Sequence, residues 1–398
     1  MPTKLKNMTN IHSKKDQDLV DDLIEDLDEE ILDDVRIKES LAPLVVASRD
    51  WTVETIIRQI SQKNIDLNPK FQRRNAWDDG KRSALIESLI WGVPVPQIVL
   101  AEDPNRPRAY IVIDGKQRLL TIAGFVDPTI NYWDKPTIKG LTVFEELNGH
   151  SAEDLGKDPE LADFHRRLMN ADIRCTVLSN YSDPDVLYDI FYRINTGSVR
   201  LGSQELRQVF HRGWFADYLV EMTNTPQPIH KVLGLDEPDV RLADVEIVLR
   251  SLAMDLFGAE YKGNLKLFLA NAMQSITDNS TREEIEEEYI KFNFGINNLA
   301  HLFEYNQIGR KLTNGKFETR FNRVLFEVEN FFMKNLTEAN VKRNRGKFLK
   351  AFDVLMKDKQ FRSSIESTTK SIDNTRIRFR KFQNLVKTVF SKTIDIPF

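Results

Sequence analysis

Ile111-Val112-Ile113-Asp114-Gly115-Lys116-Gln117-Arg118-Leu119-Leu120-Thr121 joins three kinds of local signal in one short run. The β-branched residues up to Ile113 predict a buried strand. Asp114-Gly115 predicts a turn, and the residues from Gln117 onward predict a helix that starts at once. A helix entered this way aims its unpaired N–H groups and the positive end of its dipole at one point. Gly115 allows backbone to come close to a ligand there. Lys116, Gln117 and Arg118 add side-chain donors, so the turn suits a phosphate. A plain strand-turn-helix with solvated polar residues has the same local pattern, and spacing alone does not separate the two.

Outward from this turn, the spacing predicts a helix over Val53 to Ser61 and a short extended segment over Asp66 to Phe71. A helix over Lys81 to Trp91 places Leu85, Ile86, Leu89 and Ile90 on one face, and Gly92, Pro94 and Pro96 end it. Gln97 to Ala101 reads as a buried strand that forms a hairpin with Tyr110 to Ile113, across a turn at Asp103 to Pro107. Ile173 to Leu178 reads as a third strand, with helices at Val186 to Ile194 and Ser203 to Phe210. Beyond Arg212 long helical patterns dominate: Val245 to Phe257, Leu265 to Ile276, Arg282 to Phe303, Arg320 to Asn335, Lys347 to Met356, and a basic helix around Arg376 to Val389. The expected organisation is a partly disordered acidic extension over 1–48, a mixed domain over 49–212, and an all-helical domain over 213–398 with a basic C-terminal segment. The fold class is α+β.

Three stretches, in order, carry a resemblance to a known family. Asp114-Gly115-Lys116-Gln117-Arg118 is similar to the Asp-Gly-Gln-Gln-Arg signature of GmrSD-type restriction system N-terminal domains, with Lys116 in place of the usual Gln. Pro69 to Trp77 resembles the family's Gln-Arg-x-x-x-Trp segment through Gln72, Arg73 and Trp77. Asn195-Thr196-Gly197, followed by Gln204-Glu205-Leu206-Arg207, resembles its Asn-Thr-Gly block and the helix after it. The resemblance runs from about Trp51 through Arg212 and is only architectural beyond. It implies a ParB/sulfiredoxin-like mixed domain that handles nucleotides in a modification-dependent restriction setting.

Residue chemistry adds roles beside that resemblance. Arg73 and Arg74 offer planar donor forks suited to phosphate, or salt bridges. Trp77 suits stacking on a base or packing in the core. Asn195, Thr196 and Gly197 suit a ligand-facing turn and equally a helix C-cap. The expected nucleotide-binding set is Gly115, Lys116, Gln117, Arg118, Arg73, Arg74, Trp77, Asn195, Thr196 and Gly197. Asp114 and Glu205 are the carboxylates available to orient an attacking water or Mg2+, or else to cap and pair. No resident metal site is singled out. The expected cofactor is an NTP, with Mg2+ as its companion.

Composition sets the outer limits. The chain has 398 residues, 41% hydrophobic and 29% charged, enough for more than one core. Its one cysteine, Cys175, excludes an intramolecular disulfide and a cysteine-based zinc cluster. No apolar run suggests a membrane span or a secretion signal, so a cytoplasmic location is expected. The formal net charge of −4 conceals two opposed segments. Asp16 to Asp34 carries eleven acids and no base, with Leu19, Leu23, Leu27 and Ile31 spaced as a single apolar stripe. Val341 to Gln383 carries thirteen Lys or Arg against four acids. Within it, Arg376, Arg378, Arg380 and Lys381 are the expected DNA-backbone contacts, or alternatively a solvated helix face.

The histidines are scattered, and no His-Asn-His pattern, convincing Pro-Asp…Glu-x-Lys pattern or P-loop is found. Any nuclease is therefore expected on another chain. The leading expectation is a nucleotide-binding, NTP-hydrolysing, DNA-directed subunit of a prokaryotic defence or restriction system. The alternatives are a ParB-like DNA-binding regulator without turnover and an effector silenced by its acidic head.

Overall fold

The computed structural model describes residues 44–67, 77–103, 106–130, 133, 135–181, 187, 190, 204, 207–208, 211, 213–239, 242–366 and 371–398. The chain divides into two compact units, the first spanning Val35–Leu201 and the second including Gly202–Phe398.

In the first unit the elements run β1 (Val45–Thr52), α1 (Val53–Ser61), β2 (Ile65–Asp66), α2 (Asp79–Trp91), β3 (Ile98–Glu102), β4 (Tyr110–Asp114), α3 (Lys116–Val126), α4 (Ala152–Lys157), α5 (Ala162–Met169) and β5 (Asp172–Ser179). The sheet order is β1-β5-β3-β4-β2. β3 and β4 form the expected antiparallel pair, while β3 lies parallel to β5 and β2 parallel to β4. β3 and β4 are hydrophobic along almost their whole length because they are interior strands. The core packs α1, α2 and α3 on the sheet through Ile56, Ile86, Leu119 and Ile122. α2 starts at Asp78, whose carboxylate accepts the Lys81 N–H at 2.8 Å, and stops at Gly92 in the left-handed region.

Two expectations need correction. The extension expected over 1–48 gives Val45 to Ser48 to β1, which pairs antiparallel with β5 along its length. β1 has no clean inside-outside alternation and is exposed over most of its residues. It is held by backbone pairing, which side-chain patterning does not reveal.

The second unit, expected to be all-helical, is mostly so. Its helices are α6 (Trp214–Met222), α7 (Pro228–Leu233), α8 (Ala243–Phe257), α9 (Leu265–Asn279), α10 (Arg282–Ala300), α11 (Arg323–Met333), α12 (Glu338–Lys357), α13 (Lys359–Glu366) and α14 (Ile372–Phe390). Between α10 and α11 sits an antiparallel hairpin, β6 (Arg310–Thr313) and β7 (Lys316–Phe321). It turns at Asn314-Gly315, with φ of +50° and +75°. Asn-Gly supplies the two left-handed residues that a two-residue hairpin loop requires. The core of this unit is rich in phenylalanine, including Phe292, Phe326, Phe332, Phe348, Phe379 and Phe382. No helix among the described residues is long and apolar enough to cross a membrane.

Candidate functional site

The Asp-Gly turn sits at the end of an interior strand, and a register irregularity shapes it. Leu100 faces Val112, but Val99 faces Asp114, so Ile113 is an extra residue in β4. Such a bulge re-aims the side chain that follows it. Ile113 stays fully buried, and Asp114 emerges half-buried at the strand end.

Gly115 follows with φ +91° and caps α3, whose N-terminus has no side-chain cap hydrogen bond. A Cβ here would also lie 2.9 Å from Ile98 Cγ1 and 3.3 Å from Ile98 Cα. Glycine is thus required twice, by its backbone conformation and by close approach to β3. The second requirement, packing within the protein, joins the ligand approach inferred from sequence.

Arg118 is a brace of the turn. Its Nη2 donates to Asp114 Oδ2 at 2.8 Å and to the Gln97 carbonyl at 2.9 Å. One guanidinium nitrogen therefore ties the end of β4 to the residue before β3. Hydrophobic patterning predicts Gln97 to be part of the buried strand. It lies exposed, just ahead of β3, and its Oε1 accepts the Thr176 hydroxyl at 2.9 Å. Gln97 and Thr176 are site neighbours that local patterning did not single out, because β3 and β5 are joined only by tertiary pairing. Lys116 and Gln117 occupy the first turn of α3, both half-buried.

Trp77 packs half-buried against the hydrophobic core of the first unit, which favours its packing role. Arg73, Arg74, Asn195, Thr196, Gly197 and Glu205 lie outside the described residues. No group of three or more metal-ligating side chains is found among the described residues.

Gln204 and Arg207 belong to the second unit. Arg207 is 1% exposed and reaches Glu246 Oε2 on α8 at 3.3 Å, with Gln204 Oε1 also accepting from it. Arg207 thus fastens its own segment to the helical core.

The basic segment is sorted by burial. Arg376 and Arg380 are exposed. Arg378 is 2% exposed, and its Nη1 donates to the Ser364 carbonyl at 3.4 Å. Lys381 is half-buried and bonded to Asp358 at 2.7 Å. Arg378 therefore leaves the expected DNA-contacting set, because helical periodicity turns it inward beside Phe379.

A mixed α+β unit with a glycine-led strand-to-helix turn, followed by a mostly helical unit, is the class that these features define. Residues 53–212 match the family model described as GmrSD restriction endonuclease, N-terminal domain. The match sets the chain in a restriction-system context. Neither the curated proteins nor the solved structures give a significant match.

Proposed function

We propose that the chain is a nucleotide-binding, DNA-directed subunit of a prokaryotic restriction or defence system, with the Asp114–Arg118 turn holding the phosphates of an NTP. The observation that carries this reading is Gly115, left-handed at the head of a helix that no side chain caps. Uncapped N–H groups attract an anion. Lys116 supplies charge at the same turn, and the family's restriction setting supplies a nucleic-acid context. Mg2+ would accompany the nucleotide, and Asp114 and Glu205 are the carboxylates proposed to orient it or an attacking water. Cleavage of DNA would fall to a separate nuclease chain. The proposed location is the cytoplasm.

One observation favours a second reading, a ParB-like DNA-binding regulator that binds nucleotide without turning it over. Asp114 is already engaged by Arg118, so holding a metal ion or an attacking water through it would compete with that ion pair.

Calorimetric titration with each of the four NTPs and Mg2+ tests the proposal. Arg118→Ala is expected to weaken binding by roughly 1.5–3 kcal/mol, the range for hydrogen bonds to charged groups. Lys116→Ala leaves the Arg118 brace in place, so it separates phosphate contact from support of the turn. Absence of NTP binding by the parent protein, or unchanged affinity in both variants, overturns the nucleotide site. Asp114→Asn is expected to lower phosphate release more than binding if hydrolysis occurs, because an orienting carboxylate acts mainly in the transition state. Nucleotide binding by the parent protein with no phosphate release supports the regulator instead.

A further inference from the structure

The positive excess of the C-terminal segment is distributed by the fold in a way its sequence does not show. Three of its four acids are taken by specific cations: Asp353 by Lys357, Asp358 by Lys381, and Glu366 by Arg362 and Lys311. Arg378 is buried, and Lys342 pairs with Glu338. Among the described residues of the segment's helices, Arg345 and Lys359 are also exposed without an acidic partner, and six further cations fall in two rows. Arg343, Lys347 and Lys350 recur at i, i+4 and i+7 on α12. Arg376, Arg380 and Lys387 recur at i, i+4 and i+11 on α14. These intervals place each set on one helix face.

The two helices pack on each other, with Phe348 of α12 against Phe382 and Phe390 of α14. The cations of each row are exposed, whereas Phe348 and Phe352 of α12 and Phe379, Phe382 and Phe390 of α14 are buried. At 1.5 Å per residue the α14 row spans about 16 Å and the α12 row about 10 Å. A row of this length, fixed to a packed helix, loses little conformational freedom on meeting a regular polyanion.

We infer that the exposed faces of α12 and α14, through Arg343, Lys347, Lys350, Arg376, Arg380 and Lys387, form a docking surface for the phosphate backbone of duplex DNA. The inference deepens the DNA-directed reading and rests on it. Charge complementarity selects the partner, since a duplex presents about one negative charge per 1.7 Å of its axis. A lipid surface fits less well. A helix lying on a membrane inserts its apolar face, and on α14 that face is buried as Phe379, Phe382, Val386 and Phe390. The rows read no bases, so they would position the duplex without selecting its sequence.

The test measures duplex binding by the full chain across a salt series. The row variant R376Q/R380Q/K387Q is compared with K157Q/K291Q/K357Q. The second triple removes the same charge from exposed lysines that are already paired with Glu153, Glu288 and Asp353. Loss of three phosphate contacts should reduce the slope of log affinity against log salt by about 2–3. The paired-lysine variant should keep the parent slope. R343Q/K347Q/K350Q should repeat the first result. Thermal melts confirm that each variant is folded, and NTP titrations should be unchanged in all of them.

Equal slope changes in the two charge-matched triples would mean a diffuse field, which overturns the surface while leaving DNA binding intact. A parent protein that binds no duplex, or prefers single-stranded RNA in competition, overturns the surface and the DNA-directed reading together. Loss of NTP binding by the parent with the slope pattern retained removes only the nucleotide site.

Discussion

Glu329 shows how one side chain can set a property of the whole domain. It is fully buried on α11, and its Oε2 accepts the Gly309 N–H at 2.8 Å. Burial pushes its carboxyl up from an ordinary value of 4.5 to about 8, against the opposing pull of the Gly309 hydrogen bond and of Arg310. The native state therefore holds a proton that the unfolded chain releases between those two values. Stability contributed at this site falls as pH rises from about 4.5 to about 8 and changes no further above that. Glu329→Gln keeps an acceptor for Gly309 and removes the titration. The variant should melt higher than the parent at alkaline pH, by at least ~3 °C. The gap should close toward pH 5, and a gap independent of pH would show that Glu329 does not titrate in this window. Cys175 follows the same logic with no consequence for chemistry. Burial pushes its thiol up to about 12, so little thiolate forms at neutral pH.

At the scale of elements, buried ion pairs join segments far apart in sequence. Arg207 with Glu246, and Arg250 with Glu327, are each only 1–3% exposed. Such a pair adds little net stability over apolar residues of similar size, but breaking one half strands a charge in the core. Arg207→Met should cost about 3–5 kcal/mol, and Glu246→Leu a similar amount. The double variant should recover most of the loss. Chemical denaturation of the four proteins gives the coupling energy, and simple additivity would show that the pair is not coupled. The elements themselves were unequally legible. α1, α2 and α3 could be read because apolar spacing, Asp78 at a start and Gly92 at a stop agree. The β6–β7 turn was also legible in Asn314-Gly315, but the helical patterns on either side obscured it. β1 was not, since an exposed edge strand has little burial to record in its sequence.

Over the whole molecule, charge matters more by placement than by sum. The −4 total combines an acidic segment of eleven carboxylates with a C-terminal region of opposite sign. Residues 1–43 lie outside the described structure, and their carboxylates repel a polyanion that comes within a Debye length of them, about 10 Å at 0.1 M salt. Removing residues 1–43 should tighten duplex binding, with most of the gain at low salt. Gel-shift titrations of full-length and truncated protein at two salt concentrations check this. Equal affinities at both would leave the acidic segment no part in DNA binding.

The sequence by itself determined the local geometry of the candidate turn. Strand, glycine and helix start are properties of neighbouring residues, and their hydrophobic pattern carries them directly. It also carried the three family motifs and the opposed charges of the two ends. Only the tertiary structure decided which groups meet at the turn. Arg118 reaches Gln97 across 21 positions, and Thr176 reaches the same residue across 79. It also decided which cations of the basic segment face water. Arg376, Arg378 and Arg380 are alike in composition, but a helix places them about 100° apart per residue, so the core takes Arg378 and leaves the other two exposed.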